Sequence, residues 1–227
     1  MARVLILDGS LYPEMYRPAE GWRQWLGNTP ADAVHLPTGA QVPDLAAYSH
    51  LIVTGSEASV VCPQPWFERE ADAIRGAVDL GLRILGSCFG HQMLARTLSG
   101  PQCVSRSDSP EMGWVQVQWL ARDDLLEGLG DRSWMFTSHF DEVRDMPAPW
   151  KPLACSAGCR IAAMRFGDRP VWGIQPHPEI TPAEGKVLLE GFARRAPDKA
   201  QLVRSALAQP PRDDGAIASI VARFLAL

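Results

Sequence analysis

The chain has 227 residues, of which 46% are hydrophobic and 21% charged, and its formal net charge is −4. That length is enough to bury a large core, as one domain or at most two small ones. No basic block is present, so we expect no nucleic-acid partner. No apolar run approaches the roughly 18 residues that a membrane span needs, so we expect no membrane contact either.

The N-terminal segment and the cysteines both indicate a cytoplasmic location. The segment MARVLILDG has one arginine and a short apolar run, without the longer apolar core and cleavage site of a signal peptide. An odd number of cysteines without a secretion signal favours reduced thiols. No second pair joins Cys155 and Cys159 at metal-ligand spacing, so we expect no metal site.

Strand-like and helix-like segments alternate in the first half of the chain. Strands are predicted at Arg3–Leu7, Ala33–Leu36, His50–Gly55 and Arg83–Gly86. One face of a helix is indicated by apolar residues at steps of three and four, namely Phe67, Ala71, Ile74 and Val78. Gly81 ends this helix, and a second helix is predicted from His91 to Gly100. Such alternation is typical of a parallel sheet with helices on both faces.

The second half begins with short strands and ends in helices. The predicted strands are Gly113–Leu120, Trp134–Ser138, Leu153–Ala157, Ile161–Gly167 and Val171–Gln175. We interpret them as an antiparallel or mixed extension of the sheet. From Thr181 the pattern is helical, with a break at residues 209–215 and a final apolar helix that we expect to dock on the body. No repeat or linker is visible, so we expect one domain over residues 1–227.

The segment GSCFG (Gly86–Gly90) places a cysteine between two glycines, after a strand and before a helix. This is the context of a nucleophile elbow, in which glycines avoid Cβ clashes around a strained turn. The positive end of the following helix favours the thiolate of Cys88, and its N–H groups can hold an oxyanion. The alternative is a buried structural cysteine beside two packing glycines.

A thiol nucleophile needs a base, and His177 is the best placed of the five histidines. Pro178 favours an extended conformation at His177, and residues two apart in extended chain face the same side. Glu179 can therefore accept the second ring proton of His177 and fix its tautomer. The alternative is a proline-stiffened loop with a surface glutamate. The other histidines are less suitable: His35 and His50 flank early strands, His91 points along the elbow helix, and His139 lies at the end of a strand.

These two segments together resemble the class I glutamine amidotransferases, which are Cys-His-Glu enzymes with a flavodoxin-like α/β/α fold. The resemblance extends from Arg3 to about Ile180. It includes TGSEASV (Thr54–Val60), similar to a loop of the oxyanion hole, and two segments similar to parts of the glutamine site, EMGW (Glu111–Trp114) and SHFDEV (Ser138–Val143). The stand-alone, GMP-synthase-like members, which include plant γ-glutamyl peptidases, are the most similar.

The resemblance implies a role for each matching residue. Cys88 would be the nucleophile, His177 the general base and acid, and Glu179 the residue that orients it. The N–H groups of Gly55 and Phe89 would form the oxyanion hole. The side chains of Gln92, Ser138 and His139 would lie near the glutamyl group of the substrate. Ser87 and Pro176 depart from the family pattern beside the nucleophile and the base, without removing a catalytic group. No metal or organic cofactor is expected.

The family resemblance leaves the substrate and the fate of the amine open. The chain could be a glutamine amidotransferase or glutaminase, and since it has no P-loop, any synthetase that accepts the ammonia would be a separate subunit. It could instead be a γ-glutamyl peptidase acting on larger γ-glutamyl compounds. A non-catalytic binding protein on the same fold is the third alternative. Specificity depends on pocket walls that the sequence does not reveal.

Overall fold

The computed structural model describes residues 2–227, and within them the chain forms one mixed sheet and six α-helices. The strands are β1 (Val4–Asp8), β2 (Ala31–His35), β3 (His50–Val53), β4 (Arg83–Ser87), β5 (Val104–Trp119), β6 (Arg132–Val143), β7 (Trp150–Cys155), β8 (Ala163–Phe166) and β9 (Val171–Ile174). The helices are α1 (Pro18–Leu26), α2 (Phe67–Asp79), α3 (Phe89–Ser99), α4 (Pro182–Arg195), α5 (Ala200–Leu207) and α6 (Ala216–Ala226).

The sheet has the strand order β2-β1-β3-β4-β9-β8-β7-β5-β6. Its first five strands are mutually parallel and follow the flavodoxin-like order, whereas β8, β7, β5 and β6 continue it in antiparallel pairing. The predicted mostly parallel sheet with an antiparallel extension is therefore confirmed. In such sheets, sites form outside the carboxyl ends of the parallel strands.

The parallel strands are apolar on both sides because helices cover both faces of the sheet. Successive residues of a strand point to opposite faces. Leu5 and Leu7 accordingly pack in one cluster with α2 and α3, and Val4 and Ile6 pack in another with α1 and α6. This arrangement gives the three α/β/α layers. None of the helices among residues 2–227 has the length and apolarity to cross a membrane.

A third apolar cluster joins the antiparallel ribbon to the helices near the C-terminus. Trp114 and Phe136 of β5 and β6 pack against Leu188 of α4 and Ala206 of α5. At Gly113, which has a φ of +94°, an added Cβ would lie 3.0 Å from the Cβ of Ala206. The cluster fixes α4 close to the chain segment that follows β9.

The structure differs from the sequence-based expectation in three elements. β5 begins at Val104 rather than at Gly113, because its first half is a polar, partly exposed strand with a register shift between Arg106 and Glu111. β6 is also longer, so that His139 lies within the strand and not at its end. Helix α1 had no counterpart in the sequence pattern, since Pro18 and Gly21 occupy two of its buried positions and interrupt the apolar pattern.

Candidate active site

Cys88 occupies a strained turn between β4 and α3. Its φ is 48° and its ψ is −106°, and it is the one non-glycine with positive φ among residues 2–227. Such a conformation costs on the order of 1–3 kcal/mol and is held by the surrounding structure. The Cys88 N–H donates to the carbonyl oxygen of Ile174 at 2.9 Å, which ties the turn to the end of β9. The strand–turn–helix context predicted for this cysteine is present.

Two glycines make the turn sterically feasible. A Cβ on Gly90 would lie 2.1 Å from the carbonyl oxygen of Val53, and a Cβ on Gly86 would lie 2.7 Å from the carbonyl oxygen of Gly90. Real Cβ atoms do not approach backbone so closely, so both positions require glycine. The elbow helix α3 can therefore start directly against β3 and β4.

The thiol of Cys88 faces the first turn of α3 and the β6 strand. Its Sγ lies 3.7 Å from the carbonyl oxygen of Ser138, and the residue is 5% exposed. The N–H of Phe89, in the first turn of α3, has no acceptor within the helix because of helix geometry. That N–H and the positive helix end are available to an anion formed next to the sulfur.

His177 follows β9, which lies beside β4 in the sheet. Because Ser87 and Ile174 are partners in parallel register, the residues after the two strands emerge at the same edge. The His177 N–H donates to the Phe136 carbonyl at 2.8 Å, and its Nδ1 lies 2.8 Å from Glu179 Oε1. Both side chains are buried. Bonding at Nδ1 leaves Nε2 of the imidazole for a second partner.

Two neighbouring side chains favour the protonated form of the His177 imidazole. Burial lowers its pKa, but the charge of a Cys88 thiolate and of the Glu179 carboxylate, together with hydrogen bonds to both, raises the pKa to about 10. At neutral pH the arrangement therefore favours the imidazolium form of His177.

Tyr16, which the sequence analysis did not identify, joins this pair. It precedes α1, is 7% exposed, and its hydroxyl donates to Glu179 Oε1 at 2.5 Å while lying 3.2 Å from His177 Nδ1. Burial and the Glu179 charge raise the pKa of Tyr16 well above its usual value, so the hydroxyl keeps its proton. No sequence motif surrounds this tyrosine, and the contact spans most of the chain.

Gly55 follows β3 and lies against the same imidazole. A Cβ on Gly55 would lie 2.5 Å from the Tyr16 hydroxyl oxygen and 2.7 Å from Cε1 of His177. Contacts this short exclude any side chain at the position, so only glycine fits there. The predicted glycine-containing loop therefore reaches the site.

A cavity of about 110 Å³ joins these groups. Of the predicted site residues, those that line it are Cys88, Phe89, Gln92, Ser138, His139 and His177. Gly55 and Glu179 contact His177 instead. The remaining polar lining includes Glu57, Arg106 and Asp141, and the apolar lining includes Met15, Phe140, Leu188 and Phe192.

The polar side of the cavity is organised around Asp141. One carboxylate oxygen pairs with Nη1 of Arg106 at 3.0 Å, and the other accepts from the Ser59 hydroxyl at 2.6 Å and the Val60 N–H at 3.0 Å. The Gln92 amide nitrogen donates to the Asp141 carbonyl at 2.7 Å and to Gln175 Oε1 at 3.1 Å. The Gln92 nitrogen is thus engaged within the protein, which leaves its oxygen for a substrate.

His139 is held by its own strand and by Glu111. Its Nδ1–H donates to the Asp141 carbonyl at 3.0 Å, and its Nε2 lies 3.5 Å from a carboxylate oxygen of Glu111, its partner across the β5–β6 ladder. Glu111 also accepts from Ser156 and Gly158. The EMGW and SHFDEV segments therefore meet beside the cavity.

The other histidines lie away from the cavity. His91 is fully buried, and burial lowers its pKa to about 3, so it is a neutral packing residue. His50 donates to the Phe224 carbonyl at 3.0 Å, and His35 to the Ser10 carbonyl at 2.7 Å. Across residues 2–227, no three His, Cys, Asp or Glu side chains are grouped as metal ligands would be.

Comparison with known proteins identifies the family. The sequence model named "Glutamine amidotransferase class-I" matches residues 33–196, which is most of the chain. The chain belongs to the class I glutamine amidotransferase family. The family resemblance stated from the GSCFG segment and from His177 and Glu179 is thereby confirmed, as is the prediction of a cysteine enzyme of this class.

Relatives within the class I amidotransferases include GMP synthase subunits that are named as glutamine-hydrolyzing. The chain is 33% identical over 152 residues to the subunit of this name from Methanothermobacter thermautotrophicus, covering 66% of this chain and 81% of the relative. It is 36% identical over 117 residues to the protein of the same name from Pyrococcus abyssi, covering 51% of this chain and 61% of the relative.

A solved structure of similar fold is that of a glutamine amidotransferase from Thermotoga maritima. It superposes with a TM-score of 0.79, at 22% sequence identity, over 99% of this chain and 98% of the other. At this identity the similarity establishes the fold, including the antiparallel extension of the sheet. The substrate is a separate question, because a common fold can serve different substrates.

Proposed function

We propose that the protein hydrolyses the γ-amide of glutamine, with Cys88 as nucleophile, His177 as general base and acid, and Glu179 as the residue that orients His177. The observation that carries this proposal is that Cys88 and His177 line one cavity, with Glu179 Oε1 2.8 Å from His177 Nδ1 and the pKa of the imidazole raised to about 10. A buried structural cysteine would need neither the strained turn nor a paired imidazole.

The reaction proceeds in two halves. The Cys88 thiolate attacks the γ-carbonyl carbon, and the N–H groups of Phe89 and Gly55 stabilise the oxyanion that forms. His177 gives its Nε2 proton to the leaving nitrogen, the C–N bond breaks, and ammonia departs from a γ-glutamyl thioester at Cys88. His177 then takes a proton from water, the hydroxide attacks the thioester, and glutamate leaves as the Cys88 thiolate is restored.

The cavity favours a small amino acid as the substrate. Its volume of about 110 Å³ is well below the roughly 300–1,000 Å³ of pockets for drug-sized ligands. The charges of Arg106 and Asp141 complement the α-carboxylate and α-ammonium of glutamine. Glu57, which also lines the cavity, adds a second acidic group for the ammonium. These features support glutamine over a γ-glutamyl peptide.

One observation favours γ-glutamyl peptide hydrolysis as a second candidate. A groove of about 440 Å³ adjoins the cavity and shares three lining residues with it, Arg106, Phe140 and Phe192. The two phenylalanine rings stack at 5.4 Å between their centroids. A substrate with a larger amine portion would have room there if it passed this aromatic pair.

The last part of the proposal concerns the protein that would receive the ammonia. The two relatives named above are each one subunit of a GMP synthase, which implies that they act with another subunit. We propose that a separate synthetase subunit receives the ammonia when glutamine is the substrate. Glutamine hydrolysis that rises on addition of such a subunit would support this, whereas full activity of the chain alone would favour a free-standing hydrolase.

The test is to measure ammonia from glutamine and free amine from a panel of γ-glutamyl peptides. We expect glutamine to be hydrolysed, Cys88→Ala to abolish turnover, and Cys62→Ala, a change at an exposed cysteine, to leave it unchanged. Cleavage of γ-glutamyl peptides with inert glutamine would select the peptidase. Turnover that survives Cys88→Ala would overturn the assignment of the nucleophile.

A further inference from the structure

The hydroxyl of Tyr16 is buried next to the two residues that would activate the thiol. We infer that Tyr16 is a positioning residue of the active site: its hydroxyl holds the Glu179 carboxylate so that His177 presents Nε2 to Cys88. The inference rests on the proposed function, because it assigns Tyr16 a place in the same reaction. Tyr16 does not itself contact the atoms that react.

The hydrogen bonds of Glu179 are concentrated on one oxygen. Oε1 accepts from the Tyr16 hydroxyl at 2.5 Å and from His177 Nδ1 at 2.8 Å, whereas Oε2 is buried and has no hydrogen-bond partner within residues 2–227. A buried carboxylate with so few partners depends strongly on each of them. Without the Tyr16 hydroxyl, the His177 ring would be the one remaining side-chain partner of Oε1, and the carboxylate would be free to rotate.

The Tyr16 ring is itself held in one orientation. The N–H groups of Met15 and Tyr16 both donate to the carbonyl of Tyr12, which forms a tight turn before α1. The ring packs edge-on against the imidazole of His177, with 5.7 Å between centroids and 88° between planes. Gly55, which has no side chain, allows the hydroxyl to come this close. The turn before α1, the packing against His177 and the absence of a side chain at Gly55 together orient the Tyr16 hydroxyl toward Glu179.

A merely structural role predicts a different result from a positioning role. A buried tyrosine needs a partner for its hydroxyl, and loss of that bond would lower stability alone. A positioning role predicts in addition a slower reaction of Cys88, because the imidazole would no longer be fixed next to the sulfur. The reactivity of the thiol and the stability of the fold must therefore be measured separately.

The experiment compares Tyr16→Phe with the control Tyr48→Phe. Tyr48 also donates its hydroxyl to a carboxylate, Asp32 at 2.9 Å, but on the exposed surface. We measure kcat and KM for glutamine and, without substrate, the rate at which iodoacetamide alkylates Cys88, followed by peptide mass spectrometry. For Tyr16→Phe we expect kcat and the alkylation rate to fall about tenfold, which corresponds to about 1.4 kcal/mol, with KM little changed. Tyr48→Phe should match the wild type.

A double-mutant cycle with Glu179→Gln shows whether Tyr16 acts through Glu179. If it does, Tyr16→Phe should change the alkylation rate far less in the Glu179→Gln background than in the wild type. Independent effects, or a Tyr16→Phe protein as reactive as Tyr48→Phe, would overturn the inference. All rates are taken at a temperature where circular dichroism shows each variant to be folded, so that a loss of stability does not imitate the effect.

Different results would overturn the proposed function and the positioning role of Tyr16. If wild type leaves glutamine and the γ-glutamyl peptides intact, but Tyr16→Phe still slows alkylation of Cys88, the proposed function fails and the positioning role stands. If glutamine is hydrolysed and Tyr16→Phe behaves as wild type in both assays, the positioning role fails and the proposed function stands.

Discussion

Gly55 lies in direct contact with the imidazole of His177, although the two residues follow different strands of the sheet. A Cβ on Gly55 would be 2.7 Å from Cε1 and 3.2 Å from Nδ1 of the ring. The loop that follows β3 therefore limits where the imidazole can lie. In the proposed reaction the same loop would supply one N–H group of the oxyanion hole. A change at Gly55 would therefore affect both the position of the His177 imidazole and the stabilisation of the oxyanion.

Gly55→Ala should lower kcat for glutamine by about a hundredfold, because displacing a catalytic group by about 1 Å has this effect. The matched control is Gly130→Ala, since a Cβ on Gly130 meets nothing within 4 Å. Steady-state kinetics of both purified variants tests this. Wild-type kcat in Gly55→Ala would mean that the imidazole position does not depend on the loop.

Arg106→Ala should raise KM for glutamine about tenfold or more, since a hydrogen bond to a charged group contributes roughly 1.5–3 kcal/mol. In our proposal Arg106 binds the α-carboxylate of the substrate, and kcat should change less than KM. The control is Arg132→Ala, which removes an exposed arginine side chain that donates to Gln116 Oε1. An unchanged KM would exclude Arg106 from substrate recognition.

The charge on His177 should make stability depend on pH. Its pKa of about 10 in the folded protein lies above the usual 6.5, so protonation stabilises the fold fully below about pH 6.5. That contribution decreases as the pH rises and is lost through pH 10. The difference in unfolding free energy between wild type and His177→Gln, from urea titrations, should therefore shrink between pH 6.5 and 10. His35→Gln is the control, and a difference that stays constant over this range would contradict the prediction.

Glu70 should destabilise the fold at neutral pH. It is completely buried in α2, neither carboxyl oxygen has a hydrogen-bond partner within residues 2–227, and burial raises its pKa well above its usual value. A carboxyl with a raised pKa favours the folded state most at low pH, and this advantage declines as the pH rises above about 4.5. Glu70→Met should raise the unfolding free energy at pH 8 by about 1–3 kcal/mol, and by less at pH 5.

The control for Glu70 is Glu68→Met, on the exposed side of the same helix. Surface substitutions usually change stability by no more than about 0.5 kcal/mol. Chemical denaturation at both pH values measures the difference. Equal effects of the two substitutions would show that burial of the Glu70 carboxyl has no cost, and the assignment of its raised pKa would then be wrong.

Local sequence was sufficient to predict the turn at Cys88 and the contact between His177 and Glu179. The turn at Cys88 depends on glycines only two positions away, and the His177–Glu179 contact depends on the two-residue period of extended chain. The parallel sheet was also predictable, because strands covered on both faces are continuously apolar. These features are visible in sequence because each depends on residues that are neighbours along the chain.

The residues that sequence did not reveal act across long separations. Tyr16 reaches Glu179 from a loop with no recognisable pattern, and Arg106 meets Asp141 only through the pairing of β5 with β6. The first half of β5 is polar and only partly buried, so apolar periodicity could not mark it. Helix α1 was missed for a similar reason, since proline and glycine interrupt its short apolar face.

The adjacency of β4 and β9 has a consequence for the protein during its synthesis. Cys88 leaves the ribosome long before β9, so the nascent chain holds Cys88 without His177 beside it, and the edge of β4 stays unpaired until β9 arrives. An unpaired edge of this apolar strand can pair with strands of other chains and promote aggregation. Emergence of residues 171–177 therefore closes the exposed edge and places His177 near Cys88 in the same event.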